Sequence, residues 1–107
     1  MARDILGIFE YEVLSLLLQR PRNAYGAAIQ ERISERIERD VSIGAVHTAL
    51  DRLQEKGFVS SWWGEPSAIR GGRRKRYYKI EAAGIEAVRR TEAAWNGLRG
   101  HLAREGV

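Results

Sequence analysis

Residues 70–80 read RGGRRKRYYKI, and the placement of this stretch decides the fold. It holds six basic residues, Arg70, Arg73, Arg74, Lys75, Arg76 and Lys79, and no acidic one, whereas twelve basic and fourteen acidic residues share the rest of the chain. The formal surplus of +4 therefore sits here. Like charges held this close repel, so their concentration beside the strand-forming Tyr77, Tyr78 and Ile80 points to a polyanion as partner. Taken alone, the stretch also fits a solvated basic loop, and its surroundings must decide.

Immediately upstream, Phe58–Trp63 brings together β-branched and aromatic residues and reads as a strand. The segment 64–72, with Pro66 and three glycines, reads as an extended loop. Arg74–Ile80 then pairs back as the second strand of a hairpin whose tip is basic. Alternation puts Tyr77 and Tyr78 on opposite faces, one packed inward and the other with its hydroxyl free for phosphate or solvent. Trp62 and Trp63 are separated in the same way, and each is more often core than a stacking platform.

Three helices precede the hairpin. From Ile8 to Leu18, Phe9, Val13, Leu16 and Leu17 make one buried face, and Arg20-Pro21 stops the run. Tyr25, Ile29, Ile33 and Ile37 form an unbroken i, i+4 ladder for a second, amphipathic helix. A third begins at Ser42, whose hydroxyl can accept from a free backbone N–H, and ends near Lys56 at Gly57. Its inward stripe is Val46, Leu50 and Leu53, which leaves Gly44, Ala45, His47, Thr48, Asp51 and Arg52 outside. That outer face is small and polar near the helix start, where free amides favour phosphate, so it can enter a major groove without collision.

After the hairpin, Glu81–Arg104 is helical, with Val88, Thr91, Trp95, Leu98 and Leu102 spaced as the seam of a coiled coil. The simplest partner for that seam is the same helix of a second copy, the alternative being the first helix of the same chain. Gly97 and Gly100 each cost the helix roughly 1 kcal/mol.

At 107 residues the chain reads as one domain. Without cysteine, disulfides and thiolate metal sites are excluded. The start Met-Ala-Arg-Asp lacks a signal-peptide profile and no apolar run approaches a membrane span, so a cytoplasmic location is expected. Two histidines, His47 and His101, have no metal-ligand pattern, and neither a phosphate loop nor Gly-x-Ser-x-Gly is present, so no catalytic residue, metal site or cofactor is expected.

The expected fold is mainly α with a small β-hairpin, a winged helix-turn-helix over residues 1–80 followed by a C-terminal dimerisation helix over 81–107, together one compact unit. In this order of elements the chain resembles the PadR family of bacterial transcriptional regulators, in its small branch with a single C-terminal helix. The resemblance rests on Leu6-Gly7, Glu10 and Val13-Leu14, on Tyr25-Gly26, and on Ser42, Gly44 and Ala49-Leu50-Asp51-Arg52-Leu53. It continues through Lys56-Gly57-Phe58-Val59, Arg74-Lys75-Arg76-Tyr77-Tyr78-Lys79-Ile80 and Ala83-Gly84. The chain departs from the family at His47, where tyrosine is usual, and at Glu81, where a capping threonine is usual and whose longer side chain leaves a looser helix start expected.

The resemblance implies a homodimer that represses transcription on a two-fold symmetric operator, each third helix in a major groove and each wing along the flanking duplex. The residues expected at the DNA are Tyr25, Ser42, Gly44, Ala45, His47, Thr48, Arg52, Arg70, Arg73, Arg74, Lys75, Arg76 and Tyr78, with the wing cations gripping phosphate and Ala45, His47, Thr48 and Arg52 facing bases. The dimer interface expected is Val88, Thr91, Trp95, Leu98 and Leu102. Some members of the family bind small aromatic or drug-like molecules that release the DNA, and Trp95, with Trp62 or Trp63, is the candidate platform here. A protein-binding or RNA-binding winged helix is the competing reading, which the small uncharged start of the third helix disfavours.

Overall fold

α1 (Ile8–Gln19) carries five consecutive buried residues, Val13 to Leu17, a run longer than one helical turn and so buried on every side over that length. A helix apolar on nearly all sides has to be enclosed, and α2, α3, the second strand and α4 all pack on it. The computed structural model describes residues 5–21, 24–65 and 74–104.

α2 (Gly26–Ile37) buries Ile29 and Ile33. Tyr25, expected as the first rung of its ladder, stands outside the helix in extended geometry, with φ −121°. It forms an isolated antiparallel bridge with Tyr77, and the Tyr78 N–H donates to the Ala24 carbonyl at 2.8 Å. Ala24 and Tyr25 therefore act as a short third strand beside the hairpin, and that extended backbone is incompatible with a helical turn. α2 ends at Glu38, whose φ of 53° is left-handed. The turn after it is held by the Val41 N–H donating to Ser34 Oγ and by Gln30 Nε2 donating to the Val41 carbonyl.

α3 (Ile43–Glu55) starts as its sequence dictates: Ser42 Oγ accepts from the Ala45 N–H at 3.0 Å. Val46, Ala49, Leu50 and Leu53 are buried. At its end Gly57 has φ +80°, while the Gly57 N–H donates to the Gln54 carbonyl and the Phe58 N–H to the Leu53 carbonyl. This paired closure needs a left-handed residue that glycine adopts without steric cost. Because Phe58 is used in it, the first strand begins one residue later than expected. β1 (Val59–Trp63) and β2 (Arg76–Ile80) pair antiparallel, from Val59 opposite Ile80 to Trp63 opposite Arg76.

α4 (Ala82–Arg104) is tied down at its start. The Glu81 N–H donates to the Phe58 carbonyl at 2.8 Å and the Glu81 carbonyl accepts from Gly84 and Ile85. The Glu81 carboxylate turns back to accept from the Ser60 hydroxyl and lies 3.9 Å from Lys79 Nζ. The expected loosening is thus opposed by backbone hydrogen bonds and by two contacts that the long side chain makes possible. Thr91, fully buried, accepts the Leu6 N–H on Oγ1 at 3.0 Å and donates to the Ala87 carbonyl. Beyond Trp95 the helix runs clear of the core, consistent with the 61 Å long axis of the molecule.

A Cβ on Gly84 would stand 2.4 Å from the Phe58 carbonyl oxygen, and that backbone atom is already engaged with Glu81. Gly84→Ala should therefore lose stability despite its better helix propensity, by on the order of 1–3 kcal/mol. Gly97→Ala, whose new methyl would meet nothing within 4 Å, should gain up to about 1 kcal/mol. Urea unfolding followed by far-ultraviolet circular dichroism measures both, and a gain of stability in Gly84→Ala would overturn the close approach.

Candidate nucleic-acid interface

The outer surface of α3 is built by subtraction: once Val46, Ala49, Leu50 and Leu53 face the core, the remaining positions face solvent. Ser42, Gly44, Ala45, His47, Thr48 and Arg52 are all exposed. Two stripes result. Ala45, Thr48 and Arg52 border a shallow cleft against Gly7–Glu10 of the α1 start. His47 leans the other way, its Cε1 2.9 Å and its Nε2 3.2 Å from where a Cβ on Gly26 would stand.

The hairpin divides its cations between two faces. Lys75 shares a face with Tyr77 and Trp62, and its ammonium lies 4.3 Å from the centre of the Tyr25 ring. Tyr25 meets Tyr77 edge-on at 5.6 Å, and Tyr77 stacks on Trp62 at 5.9 Å. This face is continuous with the start of α2 and hence with His47. Arg74 is exposed and donates through Nε to the Gly64 carbonyl at 3.0 Å.

Arg76 sits on the other face. Its Nε and Nη2 both donate to Ser61 Oγ, at 3.0 and 2.9 Å, and its guanidinium lies 5.4 Å from the centre of the Trp63 ring. Ser61 in turn donates to Gln54 Oε1, and a surface hollow joins Arg76 to Asp51, Gln54 and Glu55 of α3. Arg76 thus links β2 to Ser61 and shares a hollow with the acidic side chains of α3, while its side chain remains exposed. Arg70 and Arg73 lie outside the described residues.

Tyr78 requires correction. It is 2% exposed, so its ring belongs to the core and it is unavailable to DNA. Burial pushes its phenol pKa up, partly offset by Arg76 and reinforced by Asp51. Alternation fixed that Tyr77 and Tyr78 oppose each other but not which turned inward.

The expected dimer seam splits. Val88 and Thr91 are buried against the chain's own first helix and cannot meet a second copy; the same-chain alternative holds for this half. Trp95 is half-buried, its ring edge-on to Tyr11 at 4.6 Å, and the Tyr11 hydroxyl donates to Glu92 Oε2. That hydrogen bond is the main cause of a raised Tyr11 pKa. Leu98 is 58% exposed and Leu102 is exposed too, joined by Ile8 at 71% on α1. Ile8, Tyr11, Trp95 and Leu98 line an apolar groove edged by Glu12, Glu92, Asn96 and Arg99. Trp62 and Trp63 line none of it.

Gly64, Ile8 and Tyr11 were not singled out by sequence, and Gly26 and Tyr77 entered only through the family resemblance and strand alternation, not as site residues. The glycines act through space that only the folded chain defines, whereas the exposed Ile8 was legible as an apolar residue off the α1 stripe. No helix of the described residues is long and apolar enough to cross a membrane.

Against known proteins, residues 13–90 match the model of the transcriptional regulator PadR-like family. No curated protein matches the chain. Among solved structures, a PadR-like transcription factor from Bacteroides fragilis is 26% identical, with a TM-score of 0.76 over 92% of this chain and 89% of that one. A transcriptional regulator from Clostridium thermocellum is 23% identical, with a TM-score of 0.72 over 89% and 86%. A PadR family regulator from Clostridium difficile is 22% identical, with a TM-score of 0.72 over 94% and 100%.

The raised Tyr78 pKa carries a signed prediction. A group whose folded pKa lies above its unfolded value contributes stability below the unfolded value, about 10 for tyrosine, and loses it as pH rises through the folded value. Alkaline unfolding monitored by fluorescence should therefore show stability falling above about pH 10, with a shallower fall in Tyr78→Phe. Equal slopes for the two proteins would remove Tyr78 as the source.

Proposed function

The chain belongs to the PadR-like family of transcriptional regulators, whose members are regulators and not enzymes, and from that premise we propose that it binds duplex DNA as a homodimer and represses transcription from a two-fold symmetric operator. The observation that carries the proposal is a shared surface: the small polar start of α3, the Tyr25-Gly26 junction and the Lys75 face of the hairpin lie side by side. His47 touches Gly26, and Lys75 covers the ring of the neighbouring Tyr25. A helix presented to a groove next to a cation presented to the backbone is what duplex recognition requires.

In this reading residues 1–80 bind DNA and 81–107 dimerise, in the cytoplasm. Ala45, His47, Thr48 and Arg52 face the bases. Ser42 and Gly44 let the α3 start approach the backbone, Tyr25 supports Lys75, and Arg74, with Lys75, supplies phosphate attraction; Arg70 and Arg73 extend it. The second copy covers Ile8, Trp95, Leu98 and Leu102, which together leave an apolar face that water solvates poorly. A small aromatic effector that entered the Trp95 groove would compete with that contact and release the DNA.

Selection of bound duplexes from a random pool tests the whole reading, and a palindromic consensus is expected. On that consensus, Lys75→Ala and Arg74→Ala should weaken every duplex alike and lower the salt slope by about one each. Thr48→Ala should instead change the preference among duplexes, by on the order of 1–3 kcal/mol for each pair read. Uniform loss in Thr48→Ala would sink the reader assignment.

A second measurement addresses assembly. Ile8→Glu combined with Leu98→Glu alters two exposed positions, so the fold should survive while sedimentation shifts from dimer to monomer. A parent protein that sediments as a monomer would refute the homodimer.

A further inference from the structure

We propose that the dipeptide Tyr25-Gly26 is the spacer that sets the reading helix against the wing, and that Gly26 and Tyr77 are positioning residues for base recognition; this rests on the duplex-DNA reading above. Gly26 is the first residue of α2, where alanine would serve the helix better. Among the described residues only Gly57 is a glycine with positive φ, so the backbone conformation at Gly26 does not demand glycine. The space does. A Cβ there would stand 2.9 Å from His47 Cε1, 3.2 Å from His47 Nε2 and 3.6 Å from Ile43 Cδ1. The imidazole of α3 occupies the volume that any other residue at 26 would claim.

Tyr25 makes the matching contact to the wing. Its backbone bridges Tyr77 and its ring meets the Tyr77 ring edge-on. Lys75 then rests over the Tyr25 ring, a placement that cation–π attraction favours. Tyr77 is itself fixed from two further sides. Trp62 stacks on it with an interplanar angle of 18°, and Gly64 leaves room for its ring, since a Cβ there would lie 2.6 Å from Tyr77 Cε1. One planar peptide unit therefore joins the residue that touches the reader to the residue that touches the wing. The offset between His47 and Lys75, and so between base and phosphate contacts, is set by that unit.

The experiment uses the full chain. Duplexes are selected from a random pool by the parent, Gly26→Ala, His47→Ala and the double variant, with thermal unfolding measured on each. Gly26→Ala displaces only the far end of an exposed side chain, so it should keep its melting temperature, weaken the parent consensus on the order of tenfold and shift the preferred bases. In the His47→Ala background the same change should have no effect on preference. Tyr77→Ala should lower the salt slope by about one, and Tyr77→Phe, which keeps the ring, should recover it. A consensus that Gly26→Ala leaves unchanged, or a loss that persists in the His47→Ala background, overturns the positioning role while the DNA reading stands. A parent that enriches no duplex overturns both.

Discussion

Enclosure of α1 is the constraint on which the rest of the structure depends. Val13, Leu14, Leu16 and Leu17 are each 5% exposed or less, and burying side chains of this kind is worth roughly 1.5–3 kcal/mol apiece. No single neighbour can cover them all, because they point in different directions around one helix. α2, α3, β2 and α4 are each required to close one side. Three of these neighbours, α2, α3 and β2, also carry the candidate interface, so the geometry of the reading surface is inherited from the packing of the core.

That inheritance explains the division of labour among cations. β2 presents Tyr78 to the core, and alternation then commits Arg76 to the same side, where Ser61 and Trp63 receive it. Lys75 is committed to the opposite side, with Tyr77 and Tyr25. Two adjacent basic residues thus have different physical surroundings. One donates through Nε and Nη2 to Ser61 with carboxylates nearby; the other rests on an aromatic ring.

How much was legible in the sequence follows from how local each feature is. Ser42, Gly57 and the isoleucine ladder of α2 act through residues three to five positions away, and they read correctly. The seam of α4 has the right period but period carries no partner: Val88 and Thr91 are buried within the chain's own core, whereas Leu98 and Leu102 stay exposed. Tyr25 was misplaced inside α2 because an i, i+4 ladder cannot reveal that its first member is paired to a strand more than fifty residues away. Gly26 against His47 belongs to the same class, since a missing side chain signals close approach without naming what approaches.

A charge run looks like a binding site because attraction acts at a distance, yet long-range attraction cannot choose among sequences. Choice needs atoms held to within a fraction of an ångström of base edges, and such precision has to come from short-range repulsion and packing. In this chain those forces converge where the His47 ring, the absent Gly26 side chain and the Tyr25–Tyr77 contact meet. In the proposed reading, the basic hairpin brings a duplex near, and the uncharged junction behind it sets how α3 is turned toward the groove.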